Sequence, residues 1–123
     1  MRIRPERVAQ RIRREISEIL TRLRDPRLHA MVSVTDVEVT NDLSLARVYV
    51  SVLETGEARD HVMAGLGRAA GFVRHELAGV LGLREMPEVR FLLDTSLEKG
   101  ARVDEILRKL ERGESIPDED AEE

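Results

Sequence analysis

The chain has 123 residues, 41% of them hydrophobic and 36% charged, enough apolar material for one compact domain and too little for two. No run approaches the ~18–20 consecutive apolar residues of a membrane span, and the Arg-rich start lacks the apolar stretch of a secretory leader. With no cysteine, disulfides, thiolate metal sites and a cysteine nucleophile are all excluded.

The formal net charge of −4 conceals an asymmetry, because residues 111–123 carry seven acids against one Arg. The first 27 residues carry nine Arg against four acids, so an anionic partner is expected at this end of the molecule. Arg supplies 18 of the 20 basic residues, and its planar fork grips phosphate bidentately.

Pro5 suits a first helical turn, after which Val8, Ile12, Ile16, Ile19, Leu20 and Leu23 recur at spacings of three and four. The pattern predicts an amphipathic helix with Arg7, Arg11, Arg14 and Arg22 on the face away from the core, ended by Asp25-Pro26-Arg27. Val32, Val34, Val37 and Val39 alternate with polar residues but slip phase at Asp36, which predicts a strand with a bulge. After a turn at Asn41-Asp42, Ala46, Val48, Val50 and Val52 form the apolar side of a second strand, with Arg47 and Tyr49 on its other face.

Val62, Leu66, Ala69, Ala70, Val73, Leu77, Val80 and Leu81 restore a helical period, which Gly71 interrupts; two helices meeting at a kink are expected, the second capped by Gly82. Pro87 opens a short strand at Val89 to Leu93, and Val103, Ile106, Leu107 and Leu110 mark a last helix. From Glu114 onward the sequence is acidic and without aromatics, so a disordered tail over 113–123 is expected. A small sheet covered on one face by helices, an α+β fold, accommodates this order.

Enzyme chemistry finds little material. His29, His61 and His75 are the only imidazoles, and His75-Glu76-Leu77-Ala78-Gly79 has Gly79 where a zinc-protease motif needs its second histidine. No Walker loop or nucleophile elbow occurs, and Asp42 and Asp94 are expected to form turns. No catalytic residue, metal or cofactor is assigned. Nucleic-acid binding has better support in Arg7, Arg11, Arg14 and Arg22, continued by Arg24 and Arg27, which would neutralise backbone phosphates. With only Tyr49, Phe72 and Phe91 as aromatics there is no ladder of rings for splayed bases, which favours structured RNA held by shape and backbone. The competing reading is a protein-interaction adaptor that uses the sheet face around Arg47 and Tyr49.

Several segments taken in order resemble the ribosome-binding factor A family: Arg7-Val8, Asp25-Pro26-Arg27, Val34-Thr35-Asp36-Val37, the hairpin from Asp42 to Ser51, Ala69-Ala70-Gly71-Phe72-Val73-Arg74, Pro87-Glu88-Val89-Arg90-Phe91 and Asp94-Thr95-Ser96. The resemblance implies a single type II KH-like domain over 1–112, ordered helix, strand, strand, helix, kink, helix, strand, with a C-terminal helix. In such proteins an A-x-G kink replaces the G-x-x-G loop, and Ala69-Ala70-Gly71 matches it; Gly79-Val80-Leu81-Gly82 is then a helix terminus. It further implies a monomeric, cytoplasmic factor that binds the immature small ribosomal subunit and its 16S rRNA, supports maturation of the RNA 5′ end and assists growth in the cold. Ala69, Ala70 and Gly71, flanked by Arg68 and Arg74, then join the Arg7 to Arg27 surface as RNA-binding candidates, with Arg47, Arg84 and Arg90 as lesser ones.

Overall fold

A computed structural model describes residues 3–113. The elements run α1 (Pro5–Leu20), α2 (Arg27–Ala30), β1 (Val32–Val39), β2 (Leu45–Val52), α3 (Gly56–Leu81), β3 (Glu88–Leu93) and α4 (Ser96–Glu111). The sheet order is β1-β2-β3, with β1 antiparallel and β3 parallel to the central strand. A parallel neighbour cannot be reached by a tight turn, so α3 serves as the crossover.

Alternation decides which side of the sheet is buried. Val37, Ala46, Val48, Val50, Val89 and Phe91 point to one face, where Val8, Ile12, Ile16 and Ile19 of α1 meet Val62, Leu66, Val73 and Leu77 of α3. The phase slip read at Asp36 is a bulge: pairing passes from Val34 opposite Val50 to Asp36 opposite Tyr49, leaving Thr35 unpaired. Without that extra residue Val37 and Val39 would face solvent.

Two expectations about helices need correction. α1 ends at Leu20, five residues before Asp25. The Thr21 hydroxyl turns back to the Glu18 carbonyl at 2.6 Å, and the amides of Thr21, Arg22 and Leu23 bond three residues back, so the chain winds out in tight turns. Asp25 then accepts the Arg27 amide at 3.0 Å and starts the four-residue α2. The second correction concerns the number of helices. The segment expected as two is one hydrogen-bonded helix of 26 residues, Gly56–Leu81, with Gly71 inside it. A glycine weakens a helix by about 1 kcal/mol without breaking its ladder, and burial of Leu66, Val73 and Leu77 on either side outweighs that cost.

Gly82 closes α3 in the left-handed conformation, at φ 62°. Gly79-Val80-Leu81-Gly82 is therefore a helix end, as expected. Leu43, at φ 60°, is the one described non-glycine residue with positive φ; the Asp42 carboxylate holds that turn by accepting from Thr40, the Ser44 amide and the Ser44 hydroxyl. α4 stands apart, for Val103, Leu107 and Leu110 remain about half exposed. The acidic tail lies, from residue 114, outside the described residues.

Candidate nucleic-acid interface

The predicted cationic residues fall into two groups instead of one stripe. On the outer side of α1, Arg4, Arg7, Arg11 and Arg14 line a shallow groove of about 580 Å³ together with Glu6 and Gln10. Spacings of three and four bring these side chains onto one helical face. Arg11 is partly committed, because its Nη2 donates to the Leu81 carbonyl at 2.9 Å and so satisfies the C-terminal end of α3. Arg7 and Arg14 are exposed and make no ion pair or side-chain hydrogen bond among the described residues. Arg13, on the neighbouring flank, is spent on Asp36 of β1 at 3.5 Å.

The second group gathers where the chain leaves α1 and crosses α3. Arg22 and Arg24 border a groove of about 630 Å³ whose opposite wall is Arg68, Ala69 and Phe72, with Leu28 and Gly65 at its base. Gly65, Arg68, Ala69 and Phe72 follow the i, i+3, i+4, i+7 rule and therefore share one side of α3. A Cβ on Gly65 would lie 2.9 Å from Leu28 Cδ2, so this glycine is what lets α2 approach α3. Arg22 is held by Glu18 at 3.3 Å and Glu76 at 3.8 Å, whereas Arg24 and Arg68 have no ion pair among the described residues.

Arg27 is clamped to Asp25, with Nη2 to Oδ2 at 3.1 Å. That side-chain bond, followed by the Arg27 amide, lowers the Asp25 pKa, and the same bond raises that of Arg27. Arg74 is not a free cation either. Its Nη2 donates to the Met86 carbonyl at 2.7 Å and its Nε reaches the Pro87 carbonyl at 3.2 Å, so it ties α3 to the start of β3. Ala70 packs against the core, and Gly71 is exposed with open space around its Cα.

Phe72 is the residue that the sequence reading left without a role. It is 44% exposed and one position out of register with the buried Val73, a displacement visible on a helical projection of Leu66, Ala69, Val73 and Leu77.

Arg84 is exposed and has no ion pair among the described residues, whereas the sheet-face arginines are matched internally. On the open sheet face Arg47 pairs with Glu38 at 4.0 Å, the Tyr49 hydroxyl meets the same carboxylate at 3.5 Å, and Arg90 pairs with Glu88 at 3.6 Å. Asp42 and Asp94 sit at opposite ends of β2: the first in the hairpin turn, the second donating its amide to the Val50 carbonyl. Asp94 accepts from the Thr35 hydroxyl in the bulge and from the Ser96 amide at 2.8 Å, which starts α4. These bonds lower both pKa values to about 2, led by Ser44 for Asp42 and by Thr35 for Asp94. Among the described residues no cluster of His, Asp and Glu could hold a metal ion, and no helix is long and apolar enough to cross a membrane.

Comparison with known proteins adds an independent line. A family model described as ribosome-binding factor A matches residues 4–107. A ribosome-binding factor A of Caldanaerobacter subterraneus is 44% identical over 115 residues, which span 93% of this chain and 94% of that protein. The crystal structure of the Thermus thermophilus ribosome-binding factor A superposes with a TM-score of 0.63 at 26% identity, covering 74% of this chain and 97% of that one. A homology model of the Thermus thermophilus factor, fitted into a cryo-EM map of its complex with the 30S subunit, gives a TM-score of 0.59 at 28% identity and covers 71% and 91% of the two chains.

Proposed function

Because the chain belongs to the ribosome-binding factor A family, we propose that it binds the small ribosomal subunit through 16S rRNA and assists its maturation without catalysing a covalent change. The observation that carries this reading is the sorting of the arginines. Arg11, Arg13, Arg27 and Arg74 are engaged within the fold, while Arg7, Arg14, Arg24 and Arg68 are left facing solvent on the helical side. Forks held out on a rigid surface with no hydrogen-bonded acid of their own are suited to phosphate.

The mechanism is differential affinity. A surface that fits one arrangement of pre-ribosomal RNA better than another shifts the population toward it, by no more than the difference in binding free energy. Support for processing of the 16S 5′ end and for growth in the cold follows if the favoured arrangement is the one that processing enzymes accept, because low temperature slows escape from misfolded RNA. The factor acts in this reading as a monomer in the cytoplasm. Arg7, Arg14, Arg24 and Arg68 make the phosphate contacts; Arg11, Arg22 and Arg27 contribute where phosphate displaces their present partners. Ala69 and Gly71 allow close approach, and Ala70 and Arg74 hold the helix in place.

Sedimentation of lysate tests this. The parent should travel with free small subunits at low salt and be released at high salt. The double substitution Arg7→Glu with Arg14→Glu should abolish co-migration while leaving helical circular dichroism intact. Co-migration equal to the parent's would overturn the proposal.

A further inference from the structure

The groove between the end of α1 and the middle of α3 combines three features that a smooth phosphate-binding surface does not need. It contains a large aromatic ring, Phe72, left 44% exposed on a helix that buries Leu66, Val73 and Leu77 completely. Its volume of about 630 Å³ falls within the ~300–1,000 Å³ of clefts that take small organic groups. Gly65 and the closely approaching side chain of Leu28 are among its lining residues. Two arginines without ion partners among the described residues, Arg24 and Arg68, stand on opposite walls. Asp25 also borders the groove; its carboxylate is bonded to Arg27 and attracts Arg68 through space, a partner that a phosphate would have to outcompete.

We propose that this groove receives a single unpaired nucleotide of the bound RNA, its base stacked on Phe72 and its flanking phosphates held by Arg24 and Arg68. The proposal rests on the RNA-binding reading above and makes it more specific. Every base has a π-face, so stacking on one ring selects for an extruded base without reading its identity. Cations at either wall complement the negative charge of the phosphates that flank a base on its strand. A fully paired helix presents no base to the ring and gains nothing from the groove. The aromatic poverty of the chain is no obstacle, since one nucleotide requires one ring.

The test uses the full chain and two RNA hairpins, each closed by the same non-nucleotide linker and identical except for a one-nucleotide bulge, with affinity measured by fluorescence anisotropy at low salt. The parent should prefer the bulged hairpin. Phe72→Ala should weaken binding to that hairpin by about 5- to 150-fold, the range of a lost base–aromatic stack, and leave the paired hairpin unaffected. Phe72→Tyr should keep the preference and Phe72→Leu should lose it, which separates stacking from mere apolar contact. If Phe72→Ala and parent bind both hairpins alike, the groove proposal is refuted while RNA binding stands. If the parent binds neither hairpin, RNA binding itself fails and the groove proposal with it. If Phe72→Ala loses isolated small subunits but neither hairpin, the occupant is a protein side chain and the nucleotide is excluded.

Discussion

Asp94 shows how one carboxylate can organise several strands at once. It accepts from Thr35, the residue extruded by the bulge in β1, and from the Ser96 amide that opens α4, and its own amide closes the ladder on Val50 of β2. The sequence exposed half of this. A two-residue period that loses step announces the bulge, because hydrophobic residues must return to the same face. Which partner takes the Thr35 hydroxyl, 59 residues away, leaves no periodic trace. The same holds for Arg74, an RNA-contact candidate by the resemblance, whose bonds to two backbone carbonyls give it a structural role that no sequence pattern announces. A pH dependence follows from Asp42 and Asp94. Their folded pKa values, about 2, lie below the ordinary 3.8, so as pH falls the unfolded chain takes up protons first. The stability they contribute is complete above about pH 4 and is lost as the pH drops toward 2. Asp42→Asn with Asp94→Asn should therefore show a flatter acid limb between pH 4 and 2, read from denaturant midpoints at stepped pH. An unchanged slope would remove both groups from the account.

Among the elements, those with a readable apolar period were legible, the bulged β1 and the short β3 included. α1 and β2 declare themselves through five and four apolar positions in phase, while the four residues of α2 are too few to display any period. Gly71 misleads in the other direction: it is a local penalty that a 26-residue helix, packed along its length, absorbs. α4 has the apolar spacing of a core helix, yet Val103, Leu107 and Leu110 stay about half exposed. Its links to the rest include the Asp94 acceptor at its start and an exposed Arg59–Glu98 pair at 3.6 Å. An exposed ion pair contributes ~0–1 kcal/mol. Ending the chain at Leu97 should thus leave a single cooperative unfolding transition and lower stability by no more than about 1 kcal/mol in urea titration. A larger loss would show that α4 belongs to the core unit.

For the molecule as a whole, net charge is a poor guide, because an overall −4 coexists with a helical side rich in unpaired arginines. Composition shows where along the chain the arginines are concentrated. It could not divide the arginines into those that neutralise internal acceptors and those that remain available, since that division depends on how α1 lies across α3. Salt dependence reads the division directly. Each lost phosphate contact should reduce the slope of log affinity against log salt by about 1. Arg7→Ala with Arg14→Ala should lower it by about 2, and Arg74→Ala should leave it unchanged in RNA titrations from low to moderate salt. Equal slopes for all three proteins would mean that the two surface arginines touch no phosphate. The parallel pairing of β2 with β3 carries a last consequence, for biosynthesis. Leu45 lies opposite Glu88 and Val50 opposite Leu93, so one flank of the middle strand has no mate until some forty further residues have been translated. Closing so long a span precedes any reward from the contacts it creates; the nascent hairpin must wait, half zipped, for the ribosome to deliver its final neighbour.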